Sequence, residues 1–180
     1  MAADRWPNNR FAAVFEGNGH TISNLFVSNG VSDYQGLFGY TDGAEIKNLS
    51  VTANITGRNY VGILVGFAYN TIINKVNASG NVRGYHNSIG GLTGLTYDTL
   101  INQANANANV TSYNNSGLGG LIGLAYNTIV NKSYATGNIG GYNSVGRLVG
   151  QTYNTIITNN YAISNVLEKA IAGGLIGGGE

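Results

Sequence analysis

The stretch Gly120-Leu121-Ile122-Gly123-Leu124-Ala125-Tyr126-Asn127-Thr128-Ile129-Val130-Asn131-Lys132-Ser133-Tyr134-Ala135-Thr136-Gly137-Asn138-Ile139 decides how this chain is read. It opens on a glycine-bracketed apolar block that recurs as Gly36-Leu37-Phe38-Gly39, Gly62-Ile63-Leu64-Val65-Gly66, Gly91-Leu92-Thr93-Gly94, Leu148-Val149-Gly150 and Gly174-Leu175-Ile176-Gly177. The closing glycines are separated by 27, 28, 29, 27 and 27 residues. Its Tyr-Asn-Thr block recurs at Tyr69-Asn70-Thr71, Tyr97-Asp98-Thr99 and Tyr153-Asn154-Thr155. Fixed order at a fixed period is the mark of a repeat architecture.

The third block, Val130 to Ile139, resolves into faces. Its first apolar position, taken as zero, reads Ile22, Ile46, Ile73, Ile101, Val130, Ile157. Position three reads Leu25, Leu49, Val76, Ala104, Ser133, Asn160, and position five Val27, Val51, Ala78, Ala106, Ala135, Ala162. Position seven is small (Asn29, Ala53, Gly80, Ala108, Gly137, Ser164), and position nine is Val31, Ile55, Val82, Val110, Ile139, Val166. Alternation with polar neighbours is the period of a half-buried strand. The parity break between positions zero and three predicts a corner there. The reading is one all-β domain over 1–180, a right-handed parallel β-helix of about six coils and ~27 residues per coil. Residues 1–14 would lead in, 15–166 would stack, and 167–180 would start a further coil or cap the end. At a strand spacing of ~4.8 Å, six coils make a rod on the order of 30 Å long.

This architecture accounts for an odd composition. The 180 residues include 28 glycines, one proline and no cysteine, with 43% hydrophobic but only 9% charged residues. Glycine suits corners, and asparagine tolerates left-handed backbone and bonds along ladders. Charge is disfavoured because a ladder sets like charges about 5 Å apart. Position two illustrates it: Asn24, Asn48, Lys75, Gln103, Lys132, Asn159, with Gln103 between the lysines. A net charge of +1 provides no field for nucleic acid or anionic membrane. The lack of cysteine excludes disulfides, thiol catalysis and thiolate metal sites, and no apolar run spans a bilayer.

Gly-Leu-x-Gly followed by Tyr134-Ala135-Thr136-Gly137-Asn138-Ile139 resembles the GLUG-motif repeat of bacterial secreted and surface proteins. Phe15-Glu16-Gly17-Asn18-Gly19-His20-Thr21-Ile22-Ser23-Asn24-Leu25 is similar to the segment that leads into such arrays. The resemblance covers roughly residues 11 to 177 and implies a β-helical rod in an exported, adhesin-like setting, on the bacterial surface. It implies no shared activity, because the motif residues are structural. Arg147 departs from the pattern where a glycine of the block would stand, either as a solvent-exposed position or, less simply, as a local binding feature. Met1 to Arg10 lacks the apolar core of a signal peptide. Val166 to Ile171 is compatible with a helical turn, and Ala172 to Gly177 begins another coil, so an excerpt of a longer exported chain is expected, with end-to-end self-association as the other outcome of an open end.

Titratable groups are few: four Asp, four Glu and two His. Glu16 and His20 flank a glycine turn, as an acid/base pair or, more simply, a cap. Asp33, Asp42 and Glu45 share a coil and are candidate calcium ligands, though no repeated acidic turn supports this. Arg58, Arg83 and Arg147 have no acidic partners in nearby coils by sequence. No cofactor, metal or catalytic residue is expected, and a carbohydrate-active β-helix enzyme is the alternative. Recognition by repetition fits better. The outer face of the long strand presents Ser50, Thr52, Asn54, then Asn77, Ser79, Asn81, then Asn105, Asn107, Asn109, then Tyr134, Thr136, Asn138. The tyrosine column Tyr69, Tyr97, Tyr126, Tyr153, with Tyr85, Tyr113 and Tyr142 on the return loops, offers stacking area plus hydroxyls. Polysaccharide or a cell-surface protein is the expected partner. Ice binding is a further alternative, disfavoured by columns that mix Asn, Ser, Thr and Tyr.

Overall fold

A computed structural model describes residues 9–113, 117–167 and 172–179. The chain is a β-solenoid of about 6 turns, roughly 28 residues per turn, and its paired strands all run parallel. Each full turn contributes to three sheets. The long sheet takes Glu45–Gly57, Ile72–Gly84, and then the split strands Leu100–Asn102 with Asn105–Ser112, Ile129–Asn131 with Tyr134–Gly140, and Ile156–Thr158 with Tyr161–Leu167. A second sheet takes Phe38–Asp42, Val65–Tyr69, Thr93–Tyr97, Ile122–Tyr126, Val149–Tyr153 and Ile176–Gly179. A short third sheet takes Ile89–Gly90, Leu118–Gly119, Val145–Gly146 and Ala172–Gly173.

The ladders follow the sequence columns. Val51, Ala78, Ala106, Ala135 and Ala162 stack in register, as do Ile55, Val82, Val110, Ile139 and Val166. Ile46, Ile73, Ile101 and Val130 form another fully buried row. The rows meet Leu64, Leu92, Leu121 and Leu148 from the glycine-bracketed blocks in one continuous core.

The predicted corner lies at position two. Asn48, Lys75, Gln103, Lys132 and Asn159 all adopt left-handed backbone, with φ of 52°, 53°, 52°, 48° and 56°. Only glycine, asparagine and aspartate enter this region at low cost; for other residues it costs ~1–2 kcal/mol. The lysines and glutamine are therefore held there by the stack. Where the long strand is split at this corner, a side chain from the next coil accepts the backbone N–H that follows it. Ser133 Oγ takes Ala104 N–H at 3.1 Å, and Asn160 Oδ1 takes Ser133 N–H at 2.7 Å. This is why position three drifts from leucine to serine and asparagine without a buried polar group being stranded.

The first coil corrects the sequence register. Ile22 pairs with Val51, Leu25 with Ala53 and Val27 with Ile55, while Phe15 lies beside Ile46. Ile22 therefore does not stack on Ile46, nor Leu25 on Leu49, and Val31, assigned to a core column, is 80% exposed. The cause is the turn at Gly17 to His20, which replaces the single corner residue of later coils. Gly17 N–H and Gly19 N–H bond the carbonyls of Lys47 and Asn48 at 2.8 and 2.7 Å, and a bulge between Ile22 and Leu25 absorbs the remainder. Val166 and Leu167 are strand. The rest of the suggested helical turn, Glu168 to Ile171, and most of the Met1 to Arg10 lead-in lie outside the described residues.

The repeated glycines mark close backbone approach. A Cβ on Gly123 would stand 2.4 Å from Ile89 N, 2.5 Å from Ser88 C and 2.6 Å from Gly94 O, all backbone. A Cβ on Gly174 meets nothing within 4 Å. Gly123→Ala is thus expected to lower stability by at least about 1–3 kcal/mol, the usual cost of overpacking, and Gly174→Ala to leave it within about 0.5 kcal/mol of the parent. Thermal denaturation followed by circular dichroism checks both.

Candidate functional site

Tyr69, Tyr97, Tyr126 and Tyr153 end successive strands of the second sheet and stack in register. Ring centroids are 5.6, 5.9 and 4.8 Å apart along the column, with interplanar angles of 36°, 34° and 12°. Local sequence places them there. The next residue in each coil, Asn70, Asp98, Asn127 or Asn154, takes φ of 46° to 48° and turns the chain. The threonine after it points inward, and its hydroxyl donates to the tyrosine carbonyl, as Thr71 does to Tyr69 at 2.8 Å and Thr128 to Tyr126 at 2.8 Å. Thr41 with Thr71, and Thr96 with Thr128, bring hydroxyls to 2.9 and 3.0 Å inside the corner. Tyr97 is 37% exposed and the other three rings are half-buried, so the column offers edges and hydroxyls rather than open faces. Burial, with Tyr153 beside it, raises the Tyr126 phenol above its ordinary value.

The outer face of the long sheet bears the polar grid. Asn105 is half-buried and donates to Asn77 Oδ1 at 3.0 Å. Asn107 is exposed, between Ser79 and Thr136 in register. Asn109 belongs to a continuous amide ladder. Asn81 donates to Asn54 at 2.7 Å, Asn109 to Asn81 at 3.1 Å, Asn138 to Asn109 at 3.2 Å and Asn165 to Asn138 at 3.3 Å. The amides hold one another in rotamer and leave spare N–H groups toward solvent. The tyrosine column and the grid belong to different sheets, so they do not converge on one pocket.

Two groups of residues, and the placement of Arg83 on two of the return-loop tyrosines, are not legible in the sequence. Tyr34 and Tyr60 stack at 5.1 Å and cover Phe67, which is 1% exposed, outside the main core. The signal was their place two residues before the first glycine of the block, where φ is 59° and 55°. Ile72, Leu100, Ile129 and Ile156 form an exposed aliphatic stripe in register, 37–57% accessible. Arg83 lies over the rings of Tyr85 and Tyr113.

The titratable candidates are dispersed. Glu16 accepts from Asn18 N–H at 2.9 Å and from the Asn48 amide at 2.9 and 3.2 Å, which hold its carboxyl below the ordinary range. It braces the first turn. Asp33 meets Arg58 through two bonds of 2.8 Å, Asp42 lies 3.4 Å from Arg10, and Glu45 is 2.8 Å from Lys47. Arg58 therefore has an acidic partner, contrary to the sequence expectation, because Asp33 and Arg58 sit on adjacent coils. No cluster of three or more His, Cys, Asp or Glu able to hold a metal occurs among the described residues. Arg147 is exposed, and its carbonyl would lie 2.2 Å from a Cβ on Gly120.

The Arg58 guanidinium, aided by the Asn59 side chain and N–H, holds the Asp33 carboxyl below its ordinary value. A carboxyl depressed in the folded state stabilises it above the unfolded pKa and loses that contribution as pH falls through the folded one. Stability is expected to fall on acidification below the ordinary aspartate value of about 3.9. In Asp33→Asn part of that acid limb should vanish, as read from melting temperature against pH.

A 76-residue stretch, 41% of the chain, is 46% identical to halomucin of Haloquadratum walsbyi (strain DSM 16790 / HBSQ001). The chain covers 1% of that protein's length. No family model matches the chain, and no solved structure matches it. No helix among the described residues is long and apolar enough to cross a membrane.

Proposed function

We propose that the chain is a non-catalytic structural and adhesive module of an exported surface protein, of the GLUG-repeat type, presenting a rigid polar and tyrosine-rich face to glycans or proteins. The observation that carries this is the in-register display: the column Tyr69 to Tyr153 and the amide ladder Asn54 to Asn165 repeat one chemical group per coil on a stiff support. Repeated weak contacts to a repetitive polymer multiply through effective concentration. The partial likeness to halomucin, a mucin by its name, supports an extracellular setting. The engagement of Glu16, Asp33, Asp42 and Glu45 in structural bonds supports a non-catalytic role.

A glycan array probed with the parent chain, Tyr97→Ala and Tyr126→Ala tests the reading. Binding of at least one glycan family is expected, weakened about tenfold by each substitution through loss of an aromatic anchor. Equal binding by all three proteins removes the tyrosine column from the proposal. Turnover of any polysaccharide, lost in Glu16→Gln, overturns the non-catalytic reading.

A further inference from the structure

Arg83 leaves the long sheet near the end of strand Ile72–Gly84, in register between Thr56 and Thr111 of the neighbouring coils. Its guanidinium carbon lies 4.9 Å from the centroid of Tyr113 and 5.8 Å from that of Tyr85. The two rings stack at 6.3 Å with an interplanar angle of 21°, and Arg83 Nη2 donates to the Tyr113 hydroxyl. A planar cation is thus fixed over a two-ring platform and left exposed. Three other cations are paired instead with carboxylates: Arg58 engages Asp33, Lys47 engages Glu45 and Arg10 lies against Asp42. No ion pair involves Arg83 among the described residues.

Beside it opens a groove of about 340 Å³, lined by Asn54, Asn81, Asn109, Thr111 and Tyr113. Asn81 and Asn109 each use one amide N–H along the ladder and keep the second. Donors, a preoriented guanidinium and aromatic surface therefore converge on one shallow, open site. An anionic group with two oxygens fits the remaining guanidinium N–H groups, which favour paired, charge-assisted bonds. A flat apolar ring face fits Tyr113, which Tyr85 backs, and hydroxyls fit the amides.

We propose that this groove binds an acidic polysaccharide, with a carboxylate or sulfate on Arg83, a sugar face on Tyr113, and ring hydroxyls on Asn81 and Asn109. The proposal rests on the reading of the outer face as a glycan-contact surface and names both the ligand class and the place. A phosphate backbone shares the anionic chemistry, but one arginine in a chain of net charge +1 lacks the field that nucleic acid requires.

Titration calorimetry on the whole chain tests it, using oligogalacturonate for carboxylate, dextran sulfate for sulfate, neutral dextran and single-stranded oligothymidylate. One or both acidic glycans should bind, more weakly at higher salt. Arg83→Gln should weaken that binding about tenfold or more, the scale of a lost charge-assisted pair, with an unchanged melting curve, whereas Lys132→Gln, an equal loss of charge at a corner residue outside the groove, should not affect it. Equal affinity in Arg83→Gln, or tighter binding of neutral dextran or oligothymidylate, overturns the proposal. Loss of glycan binding in Tyr97→Ala with Arg83→Gln unaffected overturns it while leaving the tyrosine-column reading standing. Absence of binding by both acidic glycans overturns the proposal, while the tyrosine-column reading is decided by the glycan array.

Discussion

Every feature of this molecule depends on the parallel, in-register backbone ladder between one coil and the next. In such a ladder each residue sits above its counterpart at the strand spacing of ~4.8 Å, so a choice made in one coil constrains the same position in its neighbours. The core is accordingly a set of rows rather than a cluster, with Ala106 resting between Ala78 and Ala135 and Val110 between Val82 and Ile139. Glycines close the sections where one strand crosses tightly behind another, and the backbone atoms around Gly123 leave no room for a methyl group.

The ladder also selects side chains at its corners and on its surface. A left-handed residue at the same point of successive coils can be Asn, Lys or Gln, because the stack enforces the conformation and the side chain points away from the core. Where the corner frees a backbone donor, Ser133 and Asn160 satisfy it from the next coil. On the outer face, equal spacing favours groups that bond their own kind. Asparagine donates and accepts at once and so propagates, whereas like charges would repel. The same rule stacks Tyr126 on Tyr153 and Tyr134 on Tyr161, at 4.8 and 4.9 Å. A surface built this way is rigid and repetitive, which suits contact with a repetitive polymer.

Breaks in the repeat carry the individuality of the chain. Arg83 interrupts a column that reads Thr56 below and Thr111 above, and it appears where Tyr85 and Tyr113 offer a platform. Asp33 and Arg58 are each unusual in this low-charge chain, and they answer each other across one coil step. Substitutions away from the repeat are thus informative when their neighbours in the coils above and below are read with them.

The sequence by itself determined the solenoid, its period, its inward columns from the second coil onward and the stacking of Tyr69, Tyr97, Tyr126 and Tyr153. These follow from periodicity, which needs no knowledge of which atoms touch. It also marked a corner before position three, but not that position two, with two lysines and a glutamine, would hold left-handed backbone. Only the tertiary structure decided the register of the first coil, because the Gly17 to His20 turn adds residues that column alignment mistakes for a shorter period. Only it could join Asp33 to Arg58, shelter Phe67 beneath Tyr34 and Tyr60, and set Arg83 on its two rings. Those contacts depend on where side chains lean between coils, and a linear column records height along the axis but not direction across the face.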